Sequence, residues 1–207
     1  MGERPDGKLH SGLAAFWRSG GVPAAIALAS ILATRNAQLA GLMRYQRQEI
    51  LNGQWWRLLS CHLVHLDSVH LATNIAALFV MSAIFADTLR AGTQLLALLF
   101  AGMVVGLALL ACEPQVSYYA GLSGALHGLL AVGALVWVRD RPRLGGLLVA
   151  GMLCKLLIEY GGYAFWFTVR TFPVVTSAHR WGAAGGLVFG LALVTHHPRA
   201  SAKNEDA

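Results

Sequence analysis

Charge is what this chain has least of. Of 207 residues only 13% are Asp, Glu, Lys or Arg, while 56% are hydrophobic and the mean hydropathy is +0.55. Soluble domains carry nearly twice that charged share, so a water-soluble core is excluded and a polytopic membrane protein is expected. The net charge of +6 is spread between hydrophobic runs rather than gathered on one face, which argues against nucleic-acid binding. Cysteine is scarce too. Cys61, Cys112 and Cys154 form no C-x-x-C pair, so no disulfide framework is expected. Cys61 and Cys112 fall on one predicted side and permit a single bridge, but small inert core residues are the better expectation. There is no His-Glu-x-x-His, and His62, His65 and His70 are too loosely spaced for a zinc site, so neither metal nor cofactor is expected. No small-residue cleavage site follows a short apolar region near the start, so no removable signal peptide is expected.

What the chain does have is long apolar runs. A helix needs about 20 mostly apolar residues to cross the hydrocarbon. Six segments qualify, roughly Gly21–Leu42, Ser68–Asp87, Gly92–Cys112, Tyr119–Val138, Leu144–Tyr160 and Thr176–Thr195. They are unalternating and rich in Ala, Leu and Gly, which excludes membrane strands. The expected fold is an all-α bundle of six transmembrane helices. It forms a single membrane domain over 1–207, with cytoplasmic tails at about 1–20 and 196–207. With six spans, Arg4, Lys8, Arg18, Arg90, Arg139, Arg141, Arg143, Arg199 and Lys203 fall on one side, and Arg44, Arg47, Arg57 and Arg170 on the other. The positive-inside bias makes both termini cytoplasmic and leaves the long loop of about Met43–Asp67 outside, with Trp55 and Trp56 suited to the interface.

Polar residues inside the apolar runs need partners, because an unpartnered polar group in an apolar medium costs free energy. Three of them share one depth. Asn74 lies sixteen residues before Arg90, Ser123 sixteen before Arg139, and His179 sixteen before Thr195. At about 1.5 Å per residue each stands about 24 Å above the inner boundary, just under the outer surface. A hydroxyl, an imidazole and a carboxamide in one layer can perform acyl transfer. The histidine activates the serine, and the carboxamide with the serine's own N–H meets the oxyanion. His70, one turn before Asn74, shares its face and is a second donor. Singly, each residue has a plain structural explanation as interhelical glue; jointly, they favour chemistry. Gly124 and Gly128 are four apart, as are Gly182, Gly186 and Gly190, a spacing that lets membrane helices approach closely.

The pattern resembles the rhomboid family of intramembrane serine proteases from Trp56 to Gly190. "WR" at Trp56–Arg57 is similar to the family's first-loop motif. His65, His70 and Asn74 in "HLDSVHLATN" match its loop histidine, helix histidine and oxyanion asparagine. "GLSG", Gly121 to Gly124, matches the nucleophile motif, and "AHRWGAAGG" matches the segment in which His179 is the base and Gly182 and Gly186 form the close-packed face. The resemblance implies a Ser123–His179 dyad without a third carboxylate, in a bacterial inner membrane, with the active site opening to the periplasmic side. Within the family, the short chain, "YAGLSGALHG" and "CKLLIEY" resemble the rhombosortase branch. That branch implies membrane-anchored substrates with a Gly-Gly-containing C-terminal sorting tail.

Two features are not settled by the motif. His127 lies four residues after Ser123 on the same helix face and is a rival base; the resemblance assigns the role to His179, leaving His127 in support. Lys155 and Glu159 are four apart on the fifth run and are expected to pair, since a lone charge at mid-membrane costs about 2.5–3.5 kcal/mol. They form either a neutralised structural pair or part of the substrate's path between the second and fifth runs. His65 and Arg57 are expected to organise the first loop. The competing functions are a catalytically silent relative that binds membrane clients, and a small transporter, for which no inverted repeat speaks.

Overall fold

The computed structural model describes residues 20–163 and 175–196. The predicted inner charges Arg4, Lys8, Arg18, Arg199 and Lys203, and Arg170 on the opposite side, lie outside the described residues. Nine α-helices are present among the described ones: α1 (Gly21–Arg35), α2 (Ala37–Met43), α3 (Arg47–Leu51), α4 (Arg57–Ser60), α5 (Ser68–Ile84), α6 (Ala91–Cys112), α7 (Ser123–Asp140), α8 (Pro142–Tyr160) and α9 (Ser177–His196). Two dipeptide strands, β1 (Tyr45–Gln46) and β2 (Tyr118–Tyr119), pair antiparallel with Tyr45 opposite Tyr119.

The long helices α1 and α5 to α9 occupy the six apolar runs, with one correction. The first run does not continue to Leu42. It breaks at Asn36, whose extended backbone ends α1 and whose Oδ1 accepts from Leu39 N–H at 3.0 Å, capping α2 after a bend of 110°. A side chain that satisfies an orphan helix N–H makes the break inexpensive. A second bend, of 94°, separates α4 and a 3₁₀ turn (Cys61–Leu63) from α5, which Asp67 caps through His70 N–H at 2.7 Å.

By length and composition, α6 is the one described helix that qualifies alone as a membrane span. Each bent pair, counted as a single span, brings the number to three at most. Helices α7, α8 and α9 fall short because of their polar residues: α7 carries His127 and ends in Arg139 and Asp140, α8 carries Arg143, Lys155 and Glu159, and α9 carries His179 and Arg180. The outward faces of α8 and α9 are nonetheless aliphatic: Leu147, Leu153, Leu157, Val188 and Leu191 are all more than half exposed. A belt of that kind is not a water-facing surface.

Helix α7 stands at the centre, with 12 of its 18 residues buried, and against it packs α6, whose Ala97, Ala101, Val105 and Leu109 are buried along one i, i+4 row. Small residues on α6 admit neighbours to backbone distance. Gly106 faces the Leu58 backbone of α4, and Ala101 faces Gly128 of α7. Towards the other end, Phe85 and Trp137 meet edge to face at 5.3 Å, and Gly133 leaves room for the Phe85 ring. The cysteines are free. Cys61 is buried as expected, but Cys112 and Cys154 are exposed, correcting their reading as core residues: Cys112 ends α6 beyond its packed part, and Cys154 lies beside the exposed Leu153 of α8.

Candidate active site

Ser123 is the first residue of α7, and the turn before it is held from several directions. Gly121 has φ +134°, and an added Cβ would stand 2.6 Å from His70 Cε1. Only glycine combines that backbone with so close a ring. Gly121 N–H donates to Cys61 O at 3.0 Å, and its carbonyl accepts from Tyr119 O–H at 2.7 Å. His62 Nδ1 lies 3.1 Å from the same carbonyl, while its Nε2 lies 2.9 Å from Gly102 O on α6. Leu122 N–H donates to His65 Nε2 at 3.4 Å. Arg57, buried, donates to Gln54 Oε1 (2.7 Å), Gly41 O and Arg44 O (both 2.8 Å), tying α4 and the loop before it to α2. His65 and Arg57 thus sit where a loop organiser would. His62 and Tyr119 are not among the site residues expected from the sequence; the signal for them is a histidine three residues before His65 and the tyrosine pair before "AGLSG".

The histidine that meets Ser123 comes from another helix. In α9, Gly182 packs on the Gly124 carbonyl and Gly186 on the Gly128 carbonyl, so closely that a Cβ at either position would overlap the α7 backbone. The two glycine rows therefore pack against each other, and this contact carries the first turn of α9 to Ser123. His179 Nε2 lies 3.0 Å from Ser123 Oγ. His179 Nδ1 lies 2.8 Å from Glu159 Oε2 on α8, and Lys155 Nζ bonds the other oxygen, Glu159 Oε1, at 2.5 Å. An ionised carboxylate only accepts, so Nδ1 carries the imidazole proton and Nε2 is free to accept from the hydroxyl. Lys155 and Glu159 pair as their spacing foretold; the reach of Glu159 to His179 is new.

His127 does not take the position of the base. Its Nδ1 donates to Ser123 O at 2.7 Å, and its ring stacks on His179 with centroids 4.2 Å apart and planes at 16°. It is a platform beneath the His179 ring. His127→Phe keeps a stacking ring and loses the bond, whereas His127→Ala loses both. Aromatic stacking contributes about 0.5–1.5 kcal/mol, so the alanine variant is expected to lose up to about tenfold in turnover and the phenylalanine variant less, measured as initial rates on one membrane substrate.

His127, Glu159 and His179 offer ligand atoms within 4.8 Å of one another. Metal-binding imidazoles must aim in-plane lone pairs at one point; two nearly parallel rings aim them side by side, so the trio does not fit a metal ion. Asn74 lies one turn after His70 on α5, and its Nδ2 is buried with no hydrogen-bond partner among the described residues. The first turn of α7 adds backbone N–H groups without intrahelical partners, so donors for an anion are available on two sides.

The fold and this site define a helical bundle in which a half-buried serine meets a buried histidine, the pairing on which serine hydrolases are built. The chain belongs to the Rhomboid domain family, whose model matches residues 52–196, and it is an integral membrane protein. Rhomboid protease GluP of Bacillus subtilis (strain 168) is 34% identical over 146 residues, a match covering 70% of this chain and 27% of GluP. The putative rhomboid protease YdcA of the same organism is 27% identical over 150 residues, covering 72% of this chain and 73% of YdcA. The chain thus corresponds to less than a third of the one relative and about three-quarters of the other.

Proposed function

We propose that this protein is an intramembrane serine endopeptidase with Ser123 as nucleophile and His179 as base. The observation that carries the reading is the 3.0 Å approach of His179 Nε2 to Ser123 Oγ, with Nδ1 turned to Glu159 so that Nε2 can accept the hydroxyl proton. The proton passes from Oγ to Nε2 as Oγ bonds to the scissile carbonyl carbon. The resulting oxyanion is met by Asn74 Nδ2–H and the Ser123 N–H at the positive end of α7, with His70 beside them. Collapse breaks the C–N bond, and Nε2 returns the proton to the leaving amine. Water then cleaves the acyl-serine, with His179 again the base.

The helices α1 and α5 to α9 serve as six spans in this reading. Both termini are cytoplasmic, and the site opens on the periplasmic side of a bacterial inner membrane. Substrate approaches as a transmembrane helix between α5 and α8, where Leu153 and Leu157 present an aliphatic face. It unwinds near the outer boundary, where glycines ease unwinding. The rhombosortase-like motifs favour exported proteins whose C-terminal membrane tail contains Gly-Gly. The competing reading, a silent client-binding relative, has no use for a hydroxyl poised on a histidine.

The two are separated by a fluorophosphonate probe on membranes containing the protein. A peptidase is labelled at Ser123, and the label is lost in His179→Ala; an unlabelled Ser123 in the intact protein excludes the reading. Mass spectrometry of exported tail-anchored proteins from cells with and without the Ser123→Ala change tests the substrate class.

A further inference from the structure

The Ser123–His179 pair does not stand alone: Glu159, from α8, lies 2.8 Å from the outer nitrogen of the imidazole. We infer that Glu159 is a positioning residue which completes a Ser–His–Glu relay, and that Lys155 holds its carboxylate in place. The inference rests on the peptidase reading above and departs from the dyad that the motifs imply.

Three observations carry it. First, the Glu159 side chain is only 9% exposed, on a membrane-facing helix, and both its oxygens are occupied, one by His179 and one by Lys155. A plain neutralising pair needs only Lys155, which at 32% exposure is the more exposed of the two, and gives Glu159 no reason to be buried against α9. Second, the bond falls on Nδ1, the nitrogen opposite the serine. That is the position from which a carboxylate selects the tautomer and stabilises the imidazolium that forms when the serine proton is taken. Third, His179 is already held by the His127 ring against one face and by Ser123 at Nε2. Glu159 adds the bond at Nδ1, so that both ring nitrogens oppose a flip of the imidazole.

No covalent step is added. The serine proton moves to Nε2, the Nδ1 proton stays on the imidazole, and Glu159 remains ionised throughout, favoured by the ammonium on its other oxygen. The relay also spans two helices. The outer end of α8 meets α9 through consecutive contacts, Glu159 on His179 and the Tyr160 ring under the Arg180 guanidinium at 5.3 Å. The base is therefore fully oriented only while that end of α8 lies against α9.

The test compares Glu159→Gln, Glu159→Asp, His179→Ala and the Glu159→Gln/His179→Ala double variant, purified in detergent, on one transmembrane substrate. Glu159→Gln is expected to lower kcat by about 10²–10⁴-fold with KM little changed. The acid limb of its pH–rate profile should move to lower pH, because the imidazolium has lost its counter-charge. Glu159→Asp should restore part of the rate. In the double variant the Gln change should cost nothing beyond His179→Ala, since the carboxylate acts only through that ring. A kcat within threefold of the parent for Glu159→Gln overturns the inference. So does an unmoved acid limb, or a Gln effect that multiplies undiminished with His179→Ala; either marks a structural role. The peptidase reading fails separately, if Ser123→Ala still cleaves.

Discussion

His179→Ala and Ser123→Ala are each expected to lower cleavage of a transmembrane substrate on the order of 10⁶-fold, and the double variant no further. The two side chains act as one unit. Oγ is a weak nucleophile until Nε2, 3.0 Å away, takes its proton, and Nε2 has nothing to accept once Oγ is gone. His127 is no substitute base, because its Nδ1 proton is committed to the Ser123 carbonyl and its plane lies parallel to His179 rather than aimed at the hydroxyl. Rates from a gel-based assay of product per enzyme settle the matter. Cleavage by His179→Ala within a hundredfold of the parent would transfer the base to His127.

Gly182→Val is expected to abolish activity without touching a reacting atom. A Cβ at Gly182 overlaps the Gly124 carbonyl, which is backbone and cannot rotate aside. Overpacking a side chain costs about 1–3 kcal/mol, occasionally more; against fixed backbone on both helices the cost is met by separating α7 from α9. A shift of about 1 Å in a catalytic contact lowers rates about 10²-fold, and the valine demands at least that at residues directly below Ser123 and His179. Gly151→Val on α8, where nothing lies within 4 Å, is the matched control and is expected to behave like the parent. Fluorophosphonate labelling and thermal unfolding in detergent are measured on both. A labelled, fully active Gly182→Val protein would show that the glycine contact does not set the site.

Much of the site could be read from the chain because polar residues in apolar helices are conspicuous. Ser123, Asn74 and His179 stood out by depth, and two of the three do meet, over a separation of 56 residues. The glycine rows were legible as close-packing faces but not as partners of each other, since periodicity shows which face of a helix is smooth and not what it touches. The break at Asn36 was missed because the apolar run continues through it. A hydrophobicity count does not register that an Asn side chain can cap a new helix. The exposed Cys112 and Cys154 were misjudged for a related reason: on a lipid-facing bundle, apolar character no longer distinguishes inside from outside.

By itself the sequence determined the helical membrane character and the i, i+4 pairing of Lys155 with Glu159, and it singled out Ser123 and His179, because these depend only on helix rise, helix period and the cost of unpartnered polar groups. The tertiary structure decided which histidine faces the hydroxyl, that His127 lies beneath it as a stacked platform, and that Glu159, still paired with Lys155, also reaches the imidazole of α9. Those choices depend on how helices are rotated and how closely they approach. Both are fixed by backbone contact at Gly182 and Gly186 between segments distant in sequence, and no period within a single helix encodes them.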